Sequence, residues 1–293
     1  MLKDTFKQQI KRTLGVRRAA ALRSFLGDVH SRMHAHDLAR LAEIHNSDKW
    51  RSHWYAQHYQ RHFRERRKQR LAILEIGVGG YDDPYAGGNS LQMWKYFFPN
   101  SMIYGIDIHE KRLPVEKRIK IFRGSQVDAA FLSGVVEEIG PPDIIIDDGS
   151  HLNEHVVKTF AILFPSLNSK GIYVVEDTQT SYWPDKGGDS LNLQNPSTSM
   201  AFFKGLADGL NYKEFLRPGY VPSYYDQHIV GMHFYHNMVF IYKGDNNEES
   251  NGVMNNQLDV GKQASGVGYQ VSGVRCQASA GVRSQVSGLK PST

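Results

Sequence analysis

Two short acidic segments, each directly after a run of apolar residues, carry the clearest sign of chemistry in this sequence. The first is Asp-Asp-Gly-Ser-His at 147–151, which follows the apolar run 144–146, and the second is Glu-Asp at 176–177, which follows the run 171–175. If both runs are neighbouring parallel strands, their carboxyl ends meet at one edge of a sheet. The two segments would then bring three or four carboxylates and one imidazole together, as in a reaction centre.

Each segment also has a simpler structural interpretation. Asp147 and Asp148 could end a strand and cap a helix that begins near Asn153. For a lone Asp-Asp-Gly the cap is favoured, but the second acidic segment favours a site. His151 and His155 could be an exposed pair, or could join Asp148 in a two-histidine, one-carboxylate iron site. An iron-dependent hydroxylase of a small molecule therefore stays open as an alternative.

A glycine-containing turn after the first predicted strand indicates a nucleotide-like ligand. The strand runs into Glu75, and Gly77 and Gly79 follow where the backbone must turn sharply and let a ligand come close. The turn is a weak signal alone, because Asp82 stands where the dinucleotide fingerprint has its third glycine. The second predicted strand ends in Asp107, which can accept hydrogen bonds from both hydroxyls of a ribose.

A polar turn at 124–128 follows the third predicted strand at the same sheet edge. Gln126 and Asp128 in this turn are suited to hydrogen-bonding an adenine ring. Asp128 is equally suited to cap the helix predicted over 129–139. Both interpretations can hold together.

The elements that must position these residues alternate along the chain. Short apolar strands at 71–76, 102–108, 119–122, 144–146 and 172–175 alternate with helical patterns, which predicts an α/β fold with a Rossmann-like, doubly wound, mostly parallel sheet. A hairpin at 229–242 is expected to insert one antiparallel strand. We expect three segments: a helical N-terminal extension (1–68), a catalytic domain (69–244) and a disordered low-complexity tail (245–293), in which a Gln-x-Ser-Gly pattern recurs. Within the extension, the apolar spacing predicts a basic amphipathic helix over residues 1–26 and a second helical region over 36–66.

Composition narrows the class of protein further. The chain has 293 residues, a formal net charge of +5 and a single cysteine, Cys276. One cysteine excludes a disulfide framework and suits a reducing cytoplasm. No window predicts a membrane span or a signal peptide. The basic residues before residue 71 are interpreted as a solvated helical face, so no nucleic-acid partner is expected.

The motifs together resemble the class I S-adenosylmethionine-dependent methyltransferases, and within that class the macrolide sugar O-methyltransferases of the mycinamicin type. The resemblance covers about residues 36–243. It rests on five long sequence motifs that occur in the same order as in the family: Gly-Gly-Tyr-Asp-Asp-Pro (79–84), Ala-Gly-Gly-Asn-Ser-Leu-Gln-Met-Trp (86–94), Tyr-Gly-Ile-Asp-Ile (104–108), Ile-Asp-Asp-Gly-Ser-His (146–151) and Val-Glu-Asp-Thr-Gln-Thr-Ser-Tyr-Trp-Pro (175–184).

The resemblance implies a role for each motif. It implies S-adenosylmethionine as the methyl donor, Mg²⁺ or another divalent cation held by Asp148, Glu176 and Asp177, and His151 as the general base. The acceptor would be a hydroxyl of a small molecule, expected to be a sugar on a glycosylated natural product. A sugar hydroxyl is too weak an acid to attack a methyl group at neutral pH without a cation and a base. The residues expected on the donor side are Glu75, Gly77, Gly79, Asp107, Gln126, Asp128 and Asp147.

The chain departs from the family pattern before its first strand. About 70 residues precede that strand, too few for the auxiliary domain of the mycinamicin-type enzymes, so the acceptor and a possible homo-oligomer are left open. Ser47-Asp48-Lys49 and His53-Trp54-Tyr55 resemble the family's segment ahead of the catalytic fold and could shape the acceptor pocket, or could belong to a capped, core-packed helix. A non-catalytic binding module with a degenerate methyltransferase fold is a further alternative.

Overall fold

A seven-stranded sheet forms the centre of the protein in the computed structural model, which describes residues 25–258. Its strand order is β3-β2-β1-β4-β5-β7-β6. All neighbouring pairs up to β5 are parallel, and β7 runs antiparallel to both β5 and β6. The strands are β1 (Ala72–Ile76), β2 (Met102–Asp107), β3 (Ile119–Arg123), β4 (Ile144–Asp147), β5 (Ile172–Glu176), β6 (Ile229–Tyr235) and β7 (Met238–Lys243).

Helices cover both faces of this sheet. The helices are α1 (25–33), α2 (Leu38–His45), α3 (Ala56–Phe63), α4 (Asn89–Phe97), α5 (Ala129–Ile139), α6 (Asn153–Leu163), α7 (Ser199–Gly209) and α8 (Tyr224–His228), with 3₁₀ turns at Thr178–Tyr182, Pro184–Lys186 and Tyr212–Glu214. Successive strand residues point to opposite faces. Ile73 and Ile144 therefore enter a core with α2, α3 and α4, whereas Leu74 and Ile145 enter a core with α5, α6 and α7. The predicted doubly wound α/β fold with its antiparallel hairpin is confirmed.

The N-terminal helical region differs from its predicted form in one respect that matters for the site. The pattern at 36–66 suggests one helical stretch, yet α2 ends at His45 and α3 begins at Ala56. Asn46 stops α2 in a left-handed conformation, with its N–H bonded to the carbonyls of Ala42 and Glu43. The loop at 46–55 is thereby free to run over the sheet edge where β4 and β5 end.

The structure describes a further segment, residues 245–258, beyond the predicted boundary at residue 244. Residues 245–258 include a two-stranded hairpin, β8 (Val253–Met254) with β9 (Gln257–Leu258). The Asn246 amide donates hydrogen bonds to the carbonyls of Gly209, Leu210 and Asp226, which attaches this segment to the domain. The basic N-terminal helix predicted over 1–26 and the repeats after 258 lie almost wholly outside the described residues. Within 25–258, no helix has the length and apolar character needed to cross a bilayer.

Candidate active site

The register of three adjacent strands brings the two acidic segments together. Asp147 lies opposite Ile76 of β1 and Val175 of β5, so β1, β4 and β5 end at nearly the same level. The Asp148 N–H continues the ladder by donating to the Ile76 carbonyl at 2.9 Å. The residues that follow these strands therefore lie along one edge of the sheet.

Asp148, His151 and Asp177 form the outer part of this edge. His151 Nε2 lies 3.9 Å from Asp148 Oδ1 and 3.5 Å from Asp177 Oδ2, and the three side chains are half-buried. One ligand atom from each lies within 4.8 Å of the other two, a spacing that suits a shared metal ion. His151 (φ 56°) and Asp177 (φ 53°) both have left-handed backbones, which are uncommon for residues other than glycine and concentrate at functional sites.

Lys49 forms the inner part of the site, reaching it from the loop between α2 and α3. Its Nζ donates to Asp148 Oδ2 at 2.6 Å and to the two Glu176 oxygens at 2.8 and 2.9 Å, and lies 3.3 Å from Glu75 Oε1. The whole residue is buried at 0% exposure. Glu176 is thereby oriented toward Lys49, whereas Asp148 has one oxygen on the inner side and one toward His151.

This inner cluster has three carboxylates and one ammonium, and the charges perturb one another strongly. Burial alone would lower the pKa of Lys49, but Asp148, Glu176 and Glu75 together raise it well above its ordinary value. Burial, and then the charge of Asp148, raise the pKa of Glu176, and burial raises that of Glu75 to about 7. The carboxylates therefore favour the charged form of Lys49, while burial and their mutual repulsion raise the pKa of the carboxylates themselves.

Two tyrosines from the same N-terminal segment donate hydrogen bonds to the two acids at the end of β5, Glu176 and Asp177. Tyr59 of α3, fully buried, donates to Glu176 Oε1. Tyr55 donates to Asp177 Oδ1 at 2.5 Å, and His53 Nδ1 lies 3.7 Å from the same oxygen. Although burial acts to raise the pKa of Asp177, the Tyr55 hydrogen bond and the nearby His151 lower it below its ordinary value. Asp177 is thus held ionised, as a cation ligand should be.

The glycine turn is built differently at its two glycines. Gly77 (φ 91°) lies so close to the end of β4 that a Cβ would come 2.0 Å from the Asp148 carbonyl oxygen, so its role in the structure is close packing of β1 against β4. Gly79 (φ 77°) has no atom nearer than 4.0 Å to such a Cβ, which leaves room for a ligand. Asp107 accepts from the Val78 N–H at 3.1 Å and from the His109 N–H at 2.8 Å, and so lies directly beside the turn.

The other predicted donor-side residues lie at the same edge but are largely occupied by internal contacts. The buried Gln126 donates to Asp147 Oδ1 and Thr159 Oγ1, and accepts from the Ser150 N–H at 2.8 Å. Asp147 is 2% exposed, and burial raises its pKa to about 7. Asp128 caps α5 by accepting from the Phe131 N–H, as the alternative interpretation expects. Glu75 accepts from Ser90 and Trp94 and is not exposed.

The two loops that follow β4 and β5 are joined by Asn153, the first residue of α6. Its buried amide donates to the carbonyls of Thr180 at 3.0 Å and Lys186 at 2.9 Å, and its oxygen accepts from the Ser199 N–H at 2.7 Å. Thr180 in turn donates to the Asp177 carbonyl through both its N–H and its hydroxyl. A continuous path of hydrogen bonds therefore links the helix after His151 to the backbone of Asp177.

Two cavities flank the site. One of about 310 Å³ lies beside Asp177 and is lined by Ser52, His53, Trp54, Tyr55, Gln57, His58, His236 and Asn237. The other, about 280 Å³, is bordered by Gly88 at the start of α4 and by Lys111, which lies 4.0 Å from Asp107. Each cavity is linked to the predicted chemistry through one of its lining residues: Tyr55 in the first donates to Asp177, and Lys111 in the second lies near Asp107.

The structure gives Lys49, Tyr55 and Tyr59 contacts with the acids of the site that the sequence did not predict. Ser47-Asp48-Lys49 and His53-Trp54-Tyr55 were noted as candidates for an acceptor pocket, but no local pattern predicts an ion pair between residues 49 and 176. The cavity beside Asp177 agrees with a pocket-forming role for 53–55. His155, by contrast, is bonded to Ser150 Oγ at 2.9 Å and is not part of the cluster of Asp148, His151 and Asp177.

Comparison with known proteins gives one consistent set of relatives, although no protein-family model matches the chain. The chain is 47% identical over 214 residues to demethylmacrocin O-methyltransferase of Streptomyces fradiae, which covers 72% of this chain and 54% of the relative. It is 48% identical over 197 residues to mycinamicin VI 2''-O-methyltransferase of Micromonospora griseorubida, covering 67% and 49% respectively. The chain spans about half the length of the curated relatives it matches.

A solved structure agrees with these relatives. MycE methyltransferase from the mycinamycin biosynthetic pathway, in complex with Mg and SAH, matches with a TM-score of 0.70 and 46% identity over 73% of this chain and 56% of that chain. The resemblance inferred from the motifs is therefore confirmed in both sequence and fold. Neither the iron-dependent hydroxylase nor the non-catalytic binding module finds support among the relatives, which are named as O-methyltransferases.

Proposed function

This chain is a homologue of the sugar O-methyltransferases of glycosylated macrolides, and we propose that it transfers a methyl group from S-adenosylmethionine to a hydroxyl of a sugar on a glycosylated natural product, with a divalent cation such as Mg²⁺. The observation that carries the proposal is the meeting of Asp148, His151 and Asp177 at the edge of the sheet that also carries Gly79 and Asp107. That edge is where ligands bind in open α/β sheets.

The donor set fits a hard divalent cation. Asp148 Oδ1 and Asp177 Oδ2 face the same space, and carboxylate oxygens are the ligands that Mg²⁺ prefers. Glu176, the third ligand implied by the family, has both oxygens bonded to Lys49 and needs a shift of that contact to take part. When bound, the cation supplies stabilisation of negative charge on an acceptor oxygen.

His151 is assigned the proton transfer. Its Nε2 lies between the two carboxylates, which orient the ring and stabilise the imidazolium formed when the acceptor hydroxyl loses its proton. Asp107, beside the glycine turn, is assigned to the ribose of the donor, and the open space at Gly79 to the approach of the donor to the backbone. Gln126, Asp128 and Asp147 are assigned to shaping the donor pocket through the contacts they make with one another and with α5.

The cavity beside Asp177 is proposed as the acceptor site. Trp54, 57% exposed at its rim, offers an aromatic face for a sugar ring, while His53 and His58 offer hydrogen-bonding nitrogens. The partner is accordingly a small molecule rather than a nucleic acid. A cytoplasmic location is proposed because of the single cysteine. A homo-oligomer is also proposed, and measurement of the molecular mass in solution would test it.

The test is methyl transfer from labelled S-adenosylmethionine to a panel of glycosylated small molecules, with Mg²⁺ and with a chelator. Asp148→Asn and His151→Ala are each expected to lower turnover about 10²–10⁴-fold, the usual contribution of a base or of a cation site. Donor binding measured by calorimetry should survive in both, since neither side chain is assigned to the donor. Asp208→Asn, at an exposed acid on α7, is the control. Unimpaired methylation in both variants would refute the assigned site.

A further inference from the structure

Lys49 is fully buried yet touches neither cavity, so its charge acts only on its neighbours in the protein. Those neighbours are Asp148, Glu176 and Glu75, and the contacts with the first two are short, charge-assisted hydrogen bonds. Placing an ammonium among buried acids is costly unless the geometry is good and the hydrogen bonds are made. Asp148 and Glu176 meet both conditions, whereas Glu75 Oε1 lies 3.3 Å from the ammonium without a hydrogen-bond partner among residues 25–258, so the ammonium is held chiefly by Asp148 and Glu176.

Asp148 joins the ammonium to the outer cluster. Its Oδ2 accepts from Lys49 at 2.6 Å, while its Oδ1 faces His151 at 3.9 Å. Any cation bound among Asp148, His151 and Asp177 therefore shares a carboxylate with Lys49. Two positive charges that share one carboxylate repel each other, and in a partly buried site this repulsion is poorly screened.

We propose that Lys49 is a positioning residue of the cation site: its ammonium is a built-in cation that holds Asp148 and Glu176 in place and competes with a divalent cation for their oxygens. The inference rests on the cation assigned under the proposed function. The competition would keep the divalent cation on the outer side, next to His151, and would keep its binding reversible.

The ion pairs of Lys49 with Asp148 and Glu176 also hold the wall of the proposed acceptor cavity against the site. Residues 52–58, which line much of that cavity, follow Lys49 in the chain, and Tyr55 reaches Asp177 from this segment. The Lys49 ion pairs therefore anchor the loop that carries the cavity wall. The N-terminal segment belongs to the catalytic unit for this reason, even though it precedes the first strand.

The experiment measures divalent-cation affinity of the full chain, with Mg²⁺ by calorimetry and Mn²⁺ by electron paramagnetic resonance. Lys49→Met removes the charge and keeps a side chain of similar length. The affinities for Mg²⁺ and for Mn²⁺ should therefore both rise about tenfold or more, because the competing ammonium is lost. The rise in Tm on adding saturating Mg²⁺ should also exceed that of the wild type. Lys49→Arg, which keeps the charge, should stay near the wild-type affinity.

Lys243→Met is the matched control. Lys243 is another buried lysine, and its Nζ donates to the carbonyls of Phe164, Pro165 and Leu167 beyond the end of α6. Its backbone N–H bonds the Gly171 carbonyl ahead of β5, at the opposite edge of the sheet from the site. This variant should lose stability without any change in cation affinity.

Each possible result either supports or overturns the proposed competition between Lys49 and the divalent cation. Unchanged or weaker cation binding in Lys49→Met overturns the competition, and if the wild type binds no divalent cation, the cation assignment fails together with it. If Lys49→Met does not fold alone, folding that is restored by Mg²⁺ supports the proposal, because the divalent ion then replaces the ammonium. Failure to fold even at saturating Mg²⁺, in this variant and in Lys49→Gln, overturns it.

Discussion

Asn153→Asp exchanges one nearly isosteric side chain for another at the junction between the two active-site loops. The substitution keeps the oxygen that accepts from the Ser199 N–H at 2.7 Å. It removes the NH₂ group that donates to the Thr180 and Lys186 carbonyls at 3.0 and 2.9 Å. A carboxylate oxygen then faces two carbonyl oxygens in a site that is 1% exposed.

The expected loss of stability can be worked out from these contacts. The Lys186 carbonyl is left without a donor among the described residues, whereas the Thr180 carbonyl keeps its hydrogen bond from the Trp183 N–H. One buried carbonyl without a donor costs about 1–3 kcal/mol, and the new carboxylate oxygen, which has lost its donating role and gained no partner, costs at least as much. A negative charge at the first residue of α6 recovers about 0.5 kcal/mol through the helix dipole. The net loss in the free energy of unfolding is therefore about 3 kcal/mol. Because Thr180 also bonds the Asp177 carbonyl twice, cation binding should weaken as the loop loosens.

Urea unfolding followed by circular dichroism gives the free energy, and titration with Mg²⁺ gives the cation affinity. Asn100→Asp is the control, since Asn100 is exposed and donates to a single carbonyl, that of Lys68. It should change the free energy of unfolding by less than about 1 kcal/mol. The reasoning is refuted if Asn153→Asp is no more destabilising than Asn100→Asp, or if its full destabilisation leaves cation affinity untouched.

Two further predictions concern the glycine turn and the ionisation of Asp177. Gly77→Ala should unfold the protein or lower the free energy of unfolding by more than about 3 kcal/mol, because its Cβ would overlap the Asp148 carbonyl. Gly79→Ala should cost about 1 kcal/mol through backbone strain and should mainly weaken donor binding. Thermal unfolding and donor calorimetry measure both, and equal stability losses would contradict the structure. Tyr55→Phe should raise the pKa of Asp177, because it removes the hydrogen bond that lowers it. A carboxyl group whose pKa is lower in the folded state than in the unfolded state stabilises the fold at pH values above its unfolded-state pKa. This stabilisation is lost as the pH falls through the folded-state pKa. The stability deficit of Tyr55→Phe should therefore be largest at neutral pH and shrink in acid; a deficit that does not depend on pH would count against the Tyr55–Asp177 contact.

Much of the fold was predictable because its pattern is local. The predicted strands at 71–76, 144–146 and 172–175 are short, mainly apolar and bounded by breakers, and buried parallel strands have this form. The cap at Asp128 was predictable for the same reason, since cap and capped N–H lie three residues apart. The loop between α2 and α3 was not, because no glycine or proline marks its start and Asn46 ends the helix instead.

The sequence by itself determined the doubly wound fold, the sheet edge at which the chemistry is expected, and the acids and histidine that lie there. It could do so because the period of apolar residues and the position of polar residues after strands depend only on residues that are close in the chain. Only the tertiary structure decided how those acids are divided. It placed Lys49, 127 residues before Glu176, inside the cluster, so that Glu176 is oriented toward an ammonium while Asp148 and Asp177 remain beside His151. Partners so far apart in the chain meet through packing alone, and the charge of a buried carboxylate depends on which partner reaches it.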